Sequence, residues 1–140
     1  MAEYTSNALQ TVALNQNVLF TDTHVSGNNS IIQRDGSGSI TLRGVTSQCR
    51  ARYKVTFGGN IAIPTGGTVE AISLAIAING EAVQTTTMIV TPAAVEEFFN
   101  VFSAIYIDVP CGCCSQISVR NTSTQAIDVQ NANLIVERVA

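Results

Sequence analysis

The period of the apolar residues constrains this chain most. Over most of its length apolar and polar residues alternate, and turn-forming residues interrupt the alternation every few positions. A period of two places successive side chains on opposite faces of a strand. In Arg52 to Phe57, Tyr53, Val55 and Phe57 share one face, and Arg52, Lys54 and Thr56 share the other. In Val69 to Ile78, the large face carries Ile72, Leu74, Ile76 and Ile78. The small face carries Ala71, Ser73, Ala75 and Ala77, which would let another layer or subunit approach closely. Asn79-Gly80 supplies the positive φ angles of a two-residue type I′ hairpin. Glu81 to Val90 is then expected to return as the partner strand.

The rest of the chain follows the same grammar. Leu9 to Leu14 and Asn17 to Thr23 read as a first pair of short strands. Ser30 to Arg34 and Ser39 to Arg43 flank a turn at Asp35-Gly36-Ser37-Gly38, and Gly27-Asn28-Asn29 is another turn. Gly58-Gly59 marks a bulge or a close backbone approach. Pro92 to Asn100 stays open: Thr91 and Pro92 could cap a short helix, but from Phe99 the pattern is that of a strand. There Phe99, Val101, Ile105, Ile107 and Val109 form one apolar face, and Phe102, Ala104 and Tyr106 form a second. One face should meet the domain core, and the other needs a partner. Gln116 to Asn121, a turn at Asn121-Thr122-Ser123-Thr124, and strands Ala126 to Gln130 and Asn133 to Val139, with a bulge near Asn131, complete the chain. About ten short strands and no long helix predict an all-β fold, an antiparallel β-sandwich or jelly roll. At 140 residues the expectation is a single domain over 1–140, with 1–9 either an N-terminal docking arm or packed on its own domain through Tyr4 and Leu9.

Charge then narrows the function. Charged residues are 12% of the chain, against roughly 25% in an average soluble domain. Ser, Thr, Asn and Gln, 45 of the 140 residues, take their place. Mean hydropathy is nevertheless positive, so a single copy exposes more apolar surface than is usual and self-association is expected. The net charge of −3 and the lack of a basic stripe argue against a nucleic-acid partner. No apolar run approaches the ~20 residues of a membrane span, so no membrane partner is expected. The start, Met1-Ala2-Glu3-Tyr4-Thr5-Ser6-Asn7, has no basic or apolar region of the kind that signals export. A sheet surface built for the outside, without export, suits a component released by lysis, and the expected location is a virion surface.

A resemblance enters at Tyr53. The strand Tyr53-Lys54-Val55-Thr56-Phe57 is followed by a strand ending in Ile78-Asn79-Gly80-Glu81. A long aromatic strand comes next, then Ile117-Ser118-Val119-Arg120-Asn121, then Ala132-Asn133-Leu134-Ile135-Val136-Glu137-Arg138-Val139. This order resembles the complement-globular and tumour-necrosis-factor-like jelly-roll superfamily, and within it the bacterial and phage branch. The resemblance covers about residues 10 to 140. It implies a homotrimer with aromatic and apolar side chains along the three-fold axis. Carried onto this chain, it implies Phe102 and Tyr106 there, with Ala104 between them. The collagen-like or coiled-coil stalk of such proteins is missing from this sequence, which implies a head that docks directly on a larger body.

Few residues offer chemistry. Cys49, Cys111, Cys113 and Cys114 could form a thiolate zinc site, a disulfide made after lysis, bonds between subunits, or simply reduced thiols. The crowded Cys111-Gly112-Cys113-Cys114 spacing is poor for zinc, and no cofactor or metal is expected. His24 is the lone histidine and has no cysteine partner in sight. Glu96-Glu97 and Asp108 could be read as paired carboxylates for glycoside hydrolysis, but adjacent residues on one strand cannot flank a substrate, and a solvated edge is expected. The leading expectation is therefore a non-enzymatic virion structural protein, a trimeric phage capsid decoration or short head fibre, whose partners are itself and a major capsid or other virion protein. The alternative is a receptor- or glycan-binding head of a phage tail or spore surface, using the polar loops Gly27 to Ser30 and Asn121 to Gln125.

Overall fold

The computed structural model describes residues 1–27, 30–33, 38–44, 50–110 and 114–139. It contains two antiparallel sheets packed face to face. Twelve strands lie among the described residues: β1 (Ala2–Ser6), β2 (Gln10–Val12), β3 (Asp22–Val25), β4 (Ile31–Gln33), β5 (Ile40–Arg43), β6 (Arg50–Ala62), β7 (Ile72–Ile78), β8 (Glu81–Ala82), β9 (Met88–Val90), β10 (Phe99–Pro110), β11 (Cys114–Asn121) and β12 (Ile127–Arg138). The first sheet runs β10-β6-β12-β1-β3, with β2 added to β12. The second runs β4-β5-β11-β7-β8, with β9 added to β7. Sequence neighbours are mostly not sheet neighbours, as in a jelly roll.

Alternation dictates the core. Tyr53, Val55 and Phe57 of β6 are buried, as are Leu134 and Val136 of β12 and Ile72, Leu74 and Ile76 of β7. Phe20 and Phe57 meet edge to face, with ring centroids 6.4 Å apart. The Tyr53 hydroxyl is buried with its ring and donates to Arg43 O at 2.7 Å, which satisfies it.

Three strands are longer than the expected short ones: β6 has 13 residues, and β10 and β12 have 12 each. Gly58-Gly59 does not end β6, because the bulge lies on the strand opposite. The β12–β6 register slips between Gln130 and Asn133, so Asn131 and Ala132 together face Gly59. Asn131 takes φ 57°, and a Cβ on Gly59 would meet Ala132 Cα at 3.5 Å and the Phe57 ring at 3.3 Å. The glycine pair and the Asn131 signal thus mark one feature.

Several local expectations are corrected. Of the two readings of 1–9, packing on the own domain describes Ala2–Ser6, which is a strand between β12 and β3 with Ala2 and Tyr4 buried. Leu9, by contrast, is exposed. Burial raises the Tyr4 pKa. Asn17 to Thr23 is not a continuous strand. The Gln10 side-chain amide takes the place of one there, accepting from Leu19 N–H and donating to Leu19 O, both at 2.9 Å. The Asn79-Gly80 hairpin forms, with φ 53° and 85°, but its return strand is interrupted by a 3₁₀ turn over Gln84–Thr86. Buried Thr86 bridges the gap: its Oγ1 accepts from Ile76 N–H at 2.9 Å and donates to Val83 O at 2.7 Å. No helix forms after Pro92, and Glu96 takes φ 60° there, which a helix forbids. Finally, Ala75 and Ala77 are buried by their own chain. Arg120 starts opposite Ala75 and donates to Gly80 O at 2.7 Å, so its stem must run past Ala77.

Candidate interaction face

The outer face of the first sheet is where apolar side chains meet solvent. Among the described residues β10 pairs only with β6, so it is an edge. From Val101 onward the odd residues of β10 turn inward, and Val101, Ile107 and Val109 are buried; Phe99, expected on this face, is exposed because it stands at the start of the strand, beyond the core. Even residues turn outward: Phe102 is 66% exposed and Tyr106 is 61% exposed, with exposed Ala104 between them. The three residues expected to share a face therefore do share one.

Register fixes what surrounds them. Phe102 faces Gly58, which faces Asn133. Ala104 faces Thr56, which faces Ile135. Tyr106 faces Lys54, which faces Glu137. Apolar character is thus concentrated along the edge, and polarity increases inward. The groove beside Phe102, about 330 Å³, is lined by Gly58, Asn60, Asn100, Asn131 and Asn133. Edge strands are normally blunted by charge, proline or brevity. From Phe99 to Ile107 β10 has none of these, and Asp108 and Pro110 come only at its end.

That end is electrostatically ordered. Arg52 clamps Asp108 with two bonds, Nε to Oδ1 at 2.8 Å and Nη2 to Oδ2 at 3.1 Å, and Arg50 Nε lies 3.7 Å from Oδ2. The hydrogen bond from Arg52 lowers the Asp108 pKa, and the same bond raises that of Arg52. Arg52, Tyr106, Asp108 and Val139 line a depression of about 470 Å³. The Arg52–Asp108 pair spans 56 positions, so only the β10–β6 register, and no local signal, brings it together.

The other sequence candidates do not assemble into a site. Cys49, Cys111 and Cys113 lie outside the described residues, and Cys114 is exposed at the start of β11. No cluster of metal-binding side chains occurs among the described residues. His24 is exposed on β3. Asp108 sits at the far end of β10 from Glu96 and Glu97. In the loop Asn121 to Gln125, side chains proposed for sugars are used within the fold. Buried Asn121 donates through Nδ2 to Val12 O and Gln125 O, both at 3.0 Å, and accepts from Ser123 N–H at 2.9 Å. Ser123 Oγ accepts from Ser73 N–H at 2.7 Å, and Gln125 Nε2 donates to Thr68 O at 2.6 Å. Asn28 and Asn29, of the second polar loop, lie outside the described residues. No helix among the described residues is long and apolar enough to cross a membrane.

No family model and no curated protein sequence matches the chain. Solved structures do. A tumour-necrosis-factor protein, Eiger from S. frugiperda, superposes with TM-score 0.70 at 12% identity over 99% of this chain and 91% of its own. The globular domain of zebrafish complement 1qA gives 0.62 at 11% over 96% and 94%. Murine APRIL gives 0.63 at 9% over 97% and 98%. Identities this low speak for the fold alone, and the chain has the jelly-roll fold of the complement-globular and tumour-necrosis-factor-like domains.

Proposed function

We propose that this chain is a non-enzymatic structural head that associates as a homotrimer through the outer face of β10, with Phe102, Ala104 and Tyr106 in the seam. One observation carries the reading: a 12-residue edge strand presents two exposed aromatic rings on its outer face and no charge before Asp108. Burying a Phe-sized side chain contributes roughly 1.5–3 kcal/mol. Two rings per copy, repeated about the axis, are enough to hold an interface whose rim is polar. The charge-poor surface and the phage-branch resemblance in sequence support a place on a virion, as a capsid decoration or short head fibre docked on a capsid or other virion protein. The receptor- or glycan-binding alternative loses the side chains of Asn121 and Ser123, which are occupied inside the fold.

Two experiments test the two levels of this reading. Light scattering should give three chain masses for the native protein and one for Phe102→Asp, which would bury an unpaired carboxylate in the seam. A trimeric Phe102→Asp removes Phe102 from the interface. For the virion role, gradient-purified particles from a producing lysate should contain this chain at a fixed ratio to the major shell protein. Recovery only in the soluble fraction contradicts that role.

A further inference from the structure

The charges of this chain are few, and most of those described are sorted by end; Glu3 and Asp22 stand midway, level with Thr56 and Gly58 of β6. At about 3.3 Å per residue, the 13 residues of β6 separate its ends by roughly 40 Å. At the start of β6 stand Arg50, Arg52 and Lys54. Arg138 lies beside them at the close of β12, opposite Tyr53, and Arg43, whose carbonyl accepts from the Tyr53 hydroxyl, closes β5. These are five of the seven cations in the chain. Arg34 lies outside the described residues, and Arg120 is held partway along the second sheet by Gly80 O. Two carboxylates oppose the five: Asp108, clamped by Arg52, and Glu137, opposite Lys54. Glu81 stands in the β7–β8 hairpin beside Gly80, whose carbonyl accepts from Arg120, so one charge of each sign lies there. Five against two leaves a surplus of three positive charges per copy at this end among the described residues.

The other end is acidic. Glu96 is drawn to the close of β6 by its N–H, which donates to Ile63 O at 2.7 Å, and its carboxylate accepts from the Thr65 hydroxyl. Exposed Glu97 follows. Glu70 accepts from Thr124 at 2.6 Å in the same loop cluster. Asp128 is buried against Thr11. Among the described residues no cation stands at this end. The net charge of −3 conceals this separation.

We propose that the two ends are complementary docking surfaces, and that the basic end receives the acidic end of a second copy, so that heads stack end to end. The inference deepens the short head-fibre reading and rests on it for its geometry. The two patches differ, so the contact is heterologous and propagates as a column instead of closing. A single exposed ion pair contributes about 0–1 kcal/mol, so one copy stacks weakly. A trimer brings three basic ends against three acidic ends. Such contacts are screened beyond about 10 Å at 0.1 M salt, and the stack should dissolve as salt rises.

Sedimentation velocity on the full chain at about 20 mM and about 500 mM NaCl tests this. The expected result is a single head mass at high salt and at least about a twofold larger mass at low salt. Glu96→Lys with Glu97→Lys, and separately Arg50→Glu with Arg138→Glu, should each stay at the head mass at low salt. An equimolar mixture of the two variants should associate again. Equal mass at both salts overturns the proposal, as does low-salt association that survives both charge reversals. A native head that stays single at low salt yet is retained by immobilised poly-glutamate assigns the basic end to a foreign acidic surface, and overturns stacking. The high-salt mass separately reads the trimer: a monomer there, with salt-dependent growth, ends the trimer reading and leaves stacking standing.

Discussion

Phe102 lies directly opposite Gly58 in the β10–β6 ladder, so the ring has no cross-strand side chain beside it. A Cβ on Gly58 would have only Val101 O near it, at 3.9 Å, and its φ is not in the left-handed region. Nothing in the domain therefore requires glycine at this position. The empty place leaves the Phe102 flank open on the outer face.

Gly58→Val should accordingly fold. An aromatic–β-branched cross-strand pair is worth about 0.2–1 kcal/mol, and thermal unfolding should show the variant as stable as the native chain or up to that amount more so. A loss of more than about 1 kcal/mol would mean that the backbone at Gly58 is more constrained than its surroundings suggest.

Asn121 joins the β11–β12 turn to the end of β2. Asn121→Ala leaves the carbonyls of Val12 and Gln125 and the N–H of Ser123 without their partner, in a site the side chain fills completely. Each abandoned buried group costs about 1–3 kcal/mol. The expected loss is about 3 kcal/mol in denaturant unfolding, and a loss below about 1 kcal/mol would show that water enters the turn.

The Arg52 clamp holds Asp108 below the ordinary carboxylate pKa. A carboxyl whose folded pKa is lowered contributes stability above its unfolded pKa and loses it as pH falls through the folded value. The pair therefore helps at neutral pH and fades in acid. Both side chains are well exposed to solvent, so the effect on stability is small, and the titration itself is the better readout. Carboxyl chemical shifts should place the Asp108 midpoint lower in the native chain than in Arg52→Gln. Equal midpoints would break the account of this pair.

Where the sequence was legible, a backbone rule acts locally. Asn79-Gly80 and Asn131 were readable because few residues accept positive φ, and the faces of β6 and of most of β10 were readable because alternation reports burial directly; in β7 alternation separated large from small side chains, but Ala75 and Ala77 are buried too. What escaped depends on side chains standing in for backbone. Thr86 interrupts the return strand through its hydroxyl, and the Gln10 amide holds Leu19 where a strand was expected. Ala2–Ser6 escaped because Ala2 and Ser6 give its inward face little apolar contrast. Of the candidate face, the outward set Phe102, Ala104 and Tyr106 was legible. The edge position of β10 and the Arg52–Asp108 clamp were not, because both follow from pairings between strands far apart in sequence.

On the proposed reading β10 is a seam between copies. Native mass by light scattering in reductant and moderate salt tests it most directly. Three chain masses, falling to one on Phe102→Asp with the fold retained by circular dichroism, is the predicted result. A native monomer, with Phe102 and Tyr106 left in water, would contradict it.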